Sequence, residues 1–317
     1  VHDTHTAIIG GLDMEFGSWT DGLTEGTSNA YDNYWLANPY LKGIKEGIYT
    51  DKELNEKVRR VLRLTFRTAM NNDRPWGSMV SDAHKTACRK IGEEGIVLLQ
   101  NNANLLPINL SKVKRIAVIG ENAIKMMTVG GGSSSLKVKY EVTPLEGLKK
   151  RIGKQAEIIY ARGYVGDPTG EYNGVKTGQN LKDDRSPKEL RTEALQVASN
   201  ADIVLFIGGL NKSEYQDCEG TDRKTMDLPY NQNELIMDLL QVNKKLVVIN
   251  ISGTGVAMPW KNHVSTILQA WYLGSETGNA LASILMGDVN PSGKLPYTYY
   301  ACPDQCGAHK LGEYPGH

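Results

Sequence analysis

Short, wholly apolar runs alternate with longer stretches of helical spacing through most of this chain. Ile116-Ala117-Val118-Ile119, Ile203-Val204-Leu205-Phe206-Ile207 and Leu246-Val247-Val248-Ile249 offer no polar position to water. Strands of that kind are buried on both faces, as in a parallel sheet covered by helices. The pattern predicts strands at 115–120, 156–161, 201–208, 245–252 and 266–272. It predicts helices at 144–152, 187–198, 231–241 and 277–286, and another from about 82 to 99. Together these make one α/β domain with a mainly parallel sheet over roughly 83–300.

The first 70 residues read differently. Thr6-Ala7-Ile8-Ile9 is a short apolar run that ends in Gly10-Gly11 and then presents Asp13, and it reads as the approach to a strand. Residues 18–40 have loop composition, with Trp19, Tyr31, Tyr34 and Trp35 spread among Gly, Ser, Thr and Asn. Those aromatics suit either stacking on sugar rings or covering a small core, and Trp19 follows the acid most closely. A helix is then expected, with Thr50 and Glu53 as its capping box and Leu54, Val58, Val61, Leu62 and Phe66 on one face. Residues 71–82 read as a polar linker and 301–317 as an irregular tail.

Composition narrows the function classes. Lys plus Arg and Asp plus Glu are both 36, so zero net charge leaves no footprint for nucleic acid or an anionic membrane. No apolar run approaches the ~20 residues of a membrane span. Cys88, Cys218, Cys302 and Cys306 lack zinc-site spacing, although Cys302 and Cys306 could pair in an oxidising compartment. The six histidines form no cluster, so neither a metal nor a cofactor is expected. Gly130-Gly131-Gly132-Ser133-Ser134-Ser135 invites a phosphate-loop reading but matches neither GxxxxGK[ST] nor GxGxxG after a strand.

The chemistry the sequence offers is a pair of carboxylates. Asp13 follows a glycine turn, and Glu219-Gly220-Thr221-Asp222-Arg223 puts a second acid in a polar loop after the apolar run at 203–207. Two acids of this kind are the raw material of glycoside hydrolysis. Plainer roles exist for both: Asp13 as a turn or cap residue, Glu219 as an ion-pair partner of Arg223. Glu214 is a rival for Glu219.

At these residues the chain resembles the family 3 glycoside hydrolases, the β-glucosidases, β-xylosidases and their relatives. Gly11-Leu12-Asp13-Met14-Glu15 looks like the nucleophile segment, and Lys57-Val58-Arg59-Arg60-Val61-Leu62-Arg63 like the helix closing the first domain. Glu93-Glu94-Gly95-Ile96-Val97-Leu98-Leu99-Gln100-Asn101 and Leu105-Leu106-Pro107 resemble the start of the second domain. Glu219 to Arg223, with Leu228-Pro229 and Gln232, resemble the acid/base loop, and 287–296 the close of that domain. The resemblance implies the terminal part of a (β/α)8-type barrel over 1–70, followed by an α/β sandwich domain. It implies a retaining, exo-acting β-glycosidase, first a β-glucosidase. A β-xylosidase of the same family and a non-catalytic carbohydrate-binding or interaction fragment are the alternatives. It implies Asp13 as nucleophile and Glu219 as acid/base at a domain interface. Asp222 and Arg223 would brace the loop, and Trp19, Ser133 and Ser134 would meet sugar.

A complete barrel of this type needs roughly 250 residues. The expected partner is therefore an N-terminal barrel portion that this chain does not carry, beside the carbohydrate substrate. By resemblance the enzyme would be periplasmic or secreted and bacterial.

Overall fold

In the computed structural model the described residues are 3–15, 34–128, 131–134, 137–167, 171–172 and 175–305. They fall into two compact units, residues 1–78 and 79–317.

In the first unit the expected strand before Asp13 is a helix, α1 (Thr4–Ile9). Thr6, Ile8 and Ile9 favour strands, but a strand needs a neighbour for its backbone groups, and no strand exists among the described residues of this unit. A helix satisfies its own. Asp3 caps it, its carboxylate accepting the Thr6 N–H at 2.7 Å. A second helix, α2 (Asn38–Lys45), begins where loop composition was read, with Pro39 in its first turn. The expected capped helix is α3 (Asp51–Arg67), and the Glu53 carboxylate accepts the Thr50 N–H at 2.7 Å. Its apolar stripe stays open, with Leu62 46% and Phe66 57% exposed. Trp19 and Tyr31 lie outside the described residues.

The second unit is built on a six-stranded sheet. Its strands are β1 (Val97–Asn101), β2 (Arg115–Ile119), β3 (Glu157–Ala161), β6 (Ile203–Gly209), β7 (Leu246–Ile251) and β8 (Thr266–Gln269). A separate two-stranded ribbon pairs β4 (Glu171–Tyr172) with β5 (Val175–Lys176). The sheet order is β1-β8-β7-β6-β2-β3, and every neighbouring pair is parallel except β1 with β8. The expected helix at 82–99 stops early. It is α4 (Asp82–Gly95), after which the chain extends into β1. Ile96-Val97 follows a glycine, and β8 supplies the backbone partners that turn this apolar run into a strand.

Helices cover both faces. Alternate residues of each strand divide between two cores. Ile116, Val118, Leu205 and Ile207 face a layer that includes α5 (Pro144–Ile152) and α8 (Thr277–Met286) through Leu148, Ile152, Leu281 and Leu285. Ala117, Ile119, Val204 and Phe206 face α6 (Pro187–Ser199) and α7 (Gln232–Val242) through Ala194, Ala198, Leu235 and Leu239. α5 and α8 meet at glycines: a Cβ on Gly278 would lie 2.0 Å from the Thr143 carbonyl oxygen. Chain order reverses between β2 and β6, since β3 lies beyond β2 while β7 and β8 run the other way. In open α/β sheets that switch point, at the carboxyl ends of the strands, is where ligands are bound.

Candidate active site

At that edge the loop after β6 carries Glu219. Four segments, each following a different parallel strand, surround it. Gly131 to Ser134 come after β2, Lys212 to Asp222 after β6, Gly253 and Thr254 after β7, and Tyr272 after β8. Together they line an open cavity of about 760 Å3.

The loop holds its shape through its own residues first. Gly220 turns it at φ 82°, and the Tyr215 N–H donates to the Thr221 hydroxyl at 2.9 Å. Asp217 then ties it to the next segments. Its carboxylate accepts the Gly253 N–H at 2.7 Å, the Tyr272 hydroxyl at 2.7 Å and the Thr254 hydroxyl at 2.5 Å. Behind the loop, the Ser213 hydroxyl donates to Asp167 at 2.7 Å. Asp167 follows a turn fixed by the buried Glu121, which takes Arg162 at 2.7 Å and the Gly166 N–H at 2.5 Å. The Gln232 side chain brackets the end of β6, donating to the Gly209 carbonyl and accepting its N–H.

Glu219 is exposed and gripped by the glycine–serine segment. Its N–H donates to the Gly131 carbonyl at 2.7 Å, and its carboxylate accepts both the N–H of Ser133, at 2.5 Å, and the Ser133 hydroxyl. Gly132 sits at φ 119°, and a Cβ there would fall 2.4 Å from Glu219 Cβ. The glycine run is therefore a cradle for a carboxylate. The two Ser133 bonds, the hydroxyl's first, hold the Glu219 pKa below the ordinary carboxyl value. A general acid must hold its proton near neutral pH, which calls for a raised pKa; this arrangement gives the opposite, because the group is exposed and faces donors.

The other sequence-derived positions sort as follows. Ser134 and Asp222 line the cavity. Arg223 does not pair with Glu219; its guanidinium donates to the Gly255 carbonyl at 2.5 Å, joining the loop to the segment after β7. Glu214 is exposed and is not among the residues lining this cavity. Asp217, Lys212, Thr254 and Tyr272 were not singled out from sequence. The Lys212 ammonium lies 4.6 Å from the Tyr272 ring centroid, and burial pushes its pKa down against the pull of Glu141 and Asp217. Only the position of Asp217, two residues before Glu219, could have drawn attention to it. Cys88, Cys218 and Cys302 are free thiols, and Cys306 lies outside the described residues.

In the first unit Asp13 follows α1 in an irregular segment. Arg60 of α3 donates to its carboxylate at 2.8 Å, and Lys57, one turn earlier, donates to the Leu12 carbonyl at 2.6 Å. Glu15 accepts the Leu36 N–H at 2.8 Å. The Lys-Val-Arg-Arg stretch thus pins the segment that carries Asp13 by its backbone and by its acid. Among the described residues no group of His, Cys, Asp or Glu is arranged to hold a metal ion.

Known proteins resemble this chain along nearly its whole length. A β-glucosidase of Bacteroides ovatus is 46% identical over 99% of this chain and 42% of its own length. A β-xylosidase of Formosa agariphila is 30% identical over 98% of this chain and 43% of its own. The crystal structure of a family 3 β-glucosidase from Bifidobacterium adolescentis superposes with a TM-score of 0.71 at 29% identity, over 88% of this chain and 38% of that one. A Kluyveromyces marxianus β-glucosidase shares the fold, with a TM-score of 0.78 at 23% identity, over 98% of this chain and 53% of that one. The chain spans about two fifths of the curated relatives it matches, 42% of the Bacteroides protein. The model of the glycosyl hydrolase family 3 C-terminal domain matches residues 96–315, and the chain belongs to that family.

Proposed function

We propose that this chain is the C-terminal portion of a retaining, exo-acting β-glycosidase, a β-glucosidase, in which Asp13 is the nucleophile and Glu219 the acid/base. The observation that carries the reading is the 46% identity to a β-glucosidase across 99% of the chain, Asp13 and Glu219 segments included. Residues 1–70 would be the end of the barrel, 71–82 a linker and 83–300 the α/β sandwich domain. The open stripe of α3 supports a missing N-terminal barrel portion, because exposed Leu62 and Phe66 on one helix face call for a cover.

The chemistry follows from the two carboxyl groups. The nucleophile must be ionised to attack the anomeric carbon, and Arg60 donates to Asp13 in that form. Glu219 protonates the departing oxygen, then takes a proton from the water that hydrolyses the glycosyl–enzyme. A carboxylate held by Ser133 is a poor acid. Arrival of the glycosidic oxygen in place of the Ser133 hydroxyl would release it and restore its proton affinity. Ser133 thus keeps Glu219 in place until a sugar arrives, and Ser134 and Trp19 remain candidate sugar contacts. Asp217 and Arg223 hold the loop, with Asp222 beside them.

The test uses the enzyme completed by its N-terminal portion. Asp13→Gly loses turnover of an aryl β-glucoside and regains it with azide, yielding the α-glycosyl azide, because a single displacement inverts the anomeric centre. Retained turnover without azide would remove Asp13 from the mechanism. Aryl β-xyloside run in parallel decides between the two sugar specificities.

A further inference from the structure

A second cavity, of about 610 Å3, opens on the α/β unit where β3 ends and where α6 and α7 begin. That volume lies within the range of small-molecule sites. Pro187, Leu190 and Leu235 give it an apolar floor, and Tyr164 and Tyr230 form a wall, their rings stacked at 5.9 Å and 13°. Its rim is polar, and its three cations, Arg185, Lys188 and Arg191, stand against the three carboxylates of Asp183, Glu193 and Asp238. Arg185 is paired with Asp183 and with Glu193, both at 2.7 Å, and Arg191 with Asp238 at 2.6 Å. Paired guanidinium and carboxylate edges give alternating donors and acceptors without the excess positive charge an anion needs. A flat aromatic wall beside such a rim fits a pyranose, which has apolar C–H faces and hydroxyls around its edge.

The backbone at this cavity is held in an uncommon state. Tyr230 and Asn231 are consecutive non-glycine residues at φ 60° and 55°. Such conformations persist where the surroundings enforce them, and they cluster at ligand sites. The side-chain contacts of Tyr230 lead to the Glu219 cavity. The Tyr230 hydroxyl accepts a hydrogen bond from Gln216 at 2.5 Å and another from Asn211 at 3.3 Å. Gln216 itself lines the Glu219 cavity. One tyrosine therefore presents its ring to one cavity and its hydroxyl to a side chain of the other.

We propose that this cavity is a second saccharide-binding site, taking a neutral mono- or disaccharide, and that its occupancy reaches the Glu219 loop through Tyr230 and Gln216. The choice of a sugar rests on the glycosidase reading above, but not on the roles of Asp13 and Glu219. The test is titration of the 317-residue chain with D-glucose and with cellobiose, followed by amide resonances, with sodium sulfate as the anion control. Saturable shifts are expected at Gly163, Gly166, Arg191 and Asn231 and at the Gln216 side-chain amide, with a sugar and not with sulfate. Tyr230→Ala should weaken them at least about tenfold, the factor of one lost contact of ~1.4 kcal/mol. Arg185→Ala at the exposed rim should also weaken them, and it answers the question should Tyr230→Ala not fold. Tyr230→Phe should keep the shifts in the cavity and lose those at Gln216. Glu219→Gln should leave the cavity shifts unchanged, which separates this site from the proposed catalytic one. Shifts confined to the Glu219 cavity, shifts that survive both Tyr230→Ala and Arg185→Ala, or shifts induced by sulfate would overturn the proposal.

Discussion

Asp217→Ala should loosen the Glu219 loop without unfolding the sheet beneath it. The carboxylate accepts three hydrogen bonds, from Gly253, Thr254 and Tyr272, and these join the loop after β6 to those after β7 and β8. A hydrogen bond to a charged group contributes about 1.5–3 kcal/mol net when buried. The Gly253 and Thr254 bonds lie on an exposed surface, where water can replace the lost acceptor, so the three together are worth roughly 2 kcal/mol. That corresponds to about a 30-fold rise in the population of the open loop. Amide hydrogen exchange reads this directly, because local opening sets the exchange rate of protected amides. The Glu219 amide, bonded to Gly131, and the Gly253 amide should exchange about 30-fold faster than in the wild type, while those of Leu205 and Ile249 in the central strands keep their rates. Asp217→Asn, which retains one acceptor oxygen, should fall between. Wild-type exchange at Glu219 and Gly253 in Asp217→Ala would show that the loop is held by something else.

Ser133→Ala should raise the Glu219 carboxyl pKa toward its ordinary value of 4.5, seen by NMR titration of the side-chain carbon. Because the folded value is depressed, the Ser133 contact is at full strength above pH 4.5 and is lost as pH falls through the lower folded value. An unmoved midpoint would mean that Ser133 does not bind the carboxylate in solution. Gly278→Ala should lower the melting temperature of the α/β unit by at least about 3 °C, since overpacking costs ~1–3 kcal/mol and the added methyl meets the backbone of Thr143 rather than a side chain that can move. Calorimetry showing no change would mean that the α5–α8 approach relaxes freely. Residues 1–317 alone should not turn over aryl β-glucosides, because positioning supplies much of the rate and, on the function proposed above, the N-terminal portion supplies most of the sugar pocket. Activity should appear on mixing with the N-terminal portion, and turnover by the lone chain near that of the complete enzyme would refute this.

The parallel strands were legible because Ile203 to Ile207 and Leu246 to Ile249 have no face for water, and only burial on both sides satisfies such a run. Val97 to Asn101 was not. Its strand state comes from β8, some 170 residues later, and local spacing alone joined it to the preceding helix. The difference at Thr6 to Ile9 has the reverse cause: residues with strand preference find no pairing strand among the described residues of their unit and form a capped helix. Within the site, Glu219 and Arg223 could be singled out by their motif, but their contacts could not. Ser133 is 86 residues from Glu219, and Arg223 binds a backbone carbonyl at Gly255 that no side-chain pattern announces. The anchoring acid Asp217 carries no motif of its own in the reading, since what marks it is three donors from two other loops.

The antiparallel strand β1 sets how far this fold can be shortened. It covers the outer edge of β8, whose four residues are all buried. A polypeptide beginning after Asn101 would expose that edge as a row of unpaired amides and carbonyls, the template on which sheets of separate molecules join. Beginning at residue 96, where the family match starts, keeps the strand but removes α4, whose Gly92 lies against Ala280 of α8. The shortest version expected to keep both the β8 edge covered and α4 on α8 therefore starts at Ser81, the side-chain cap of α4.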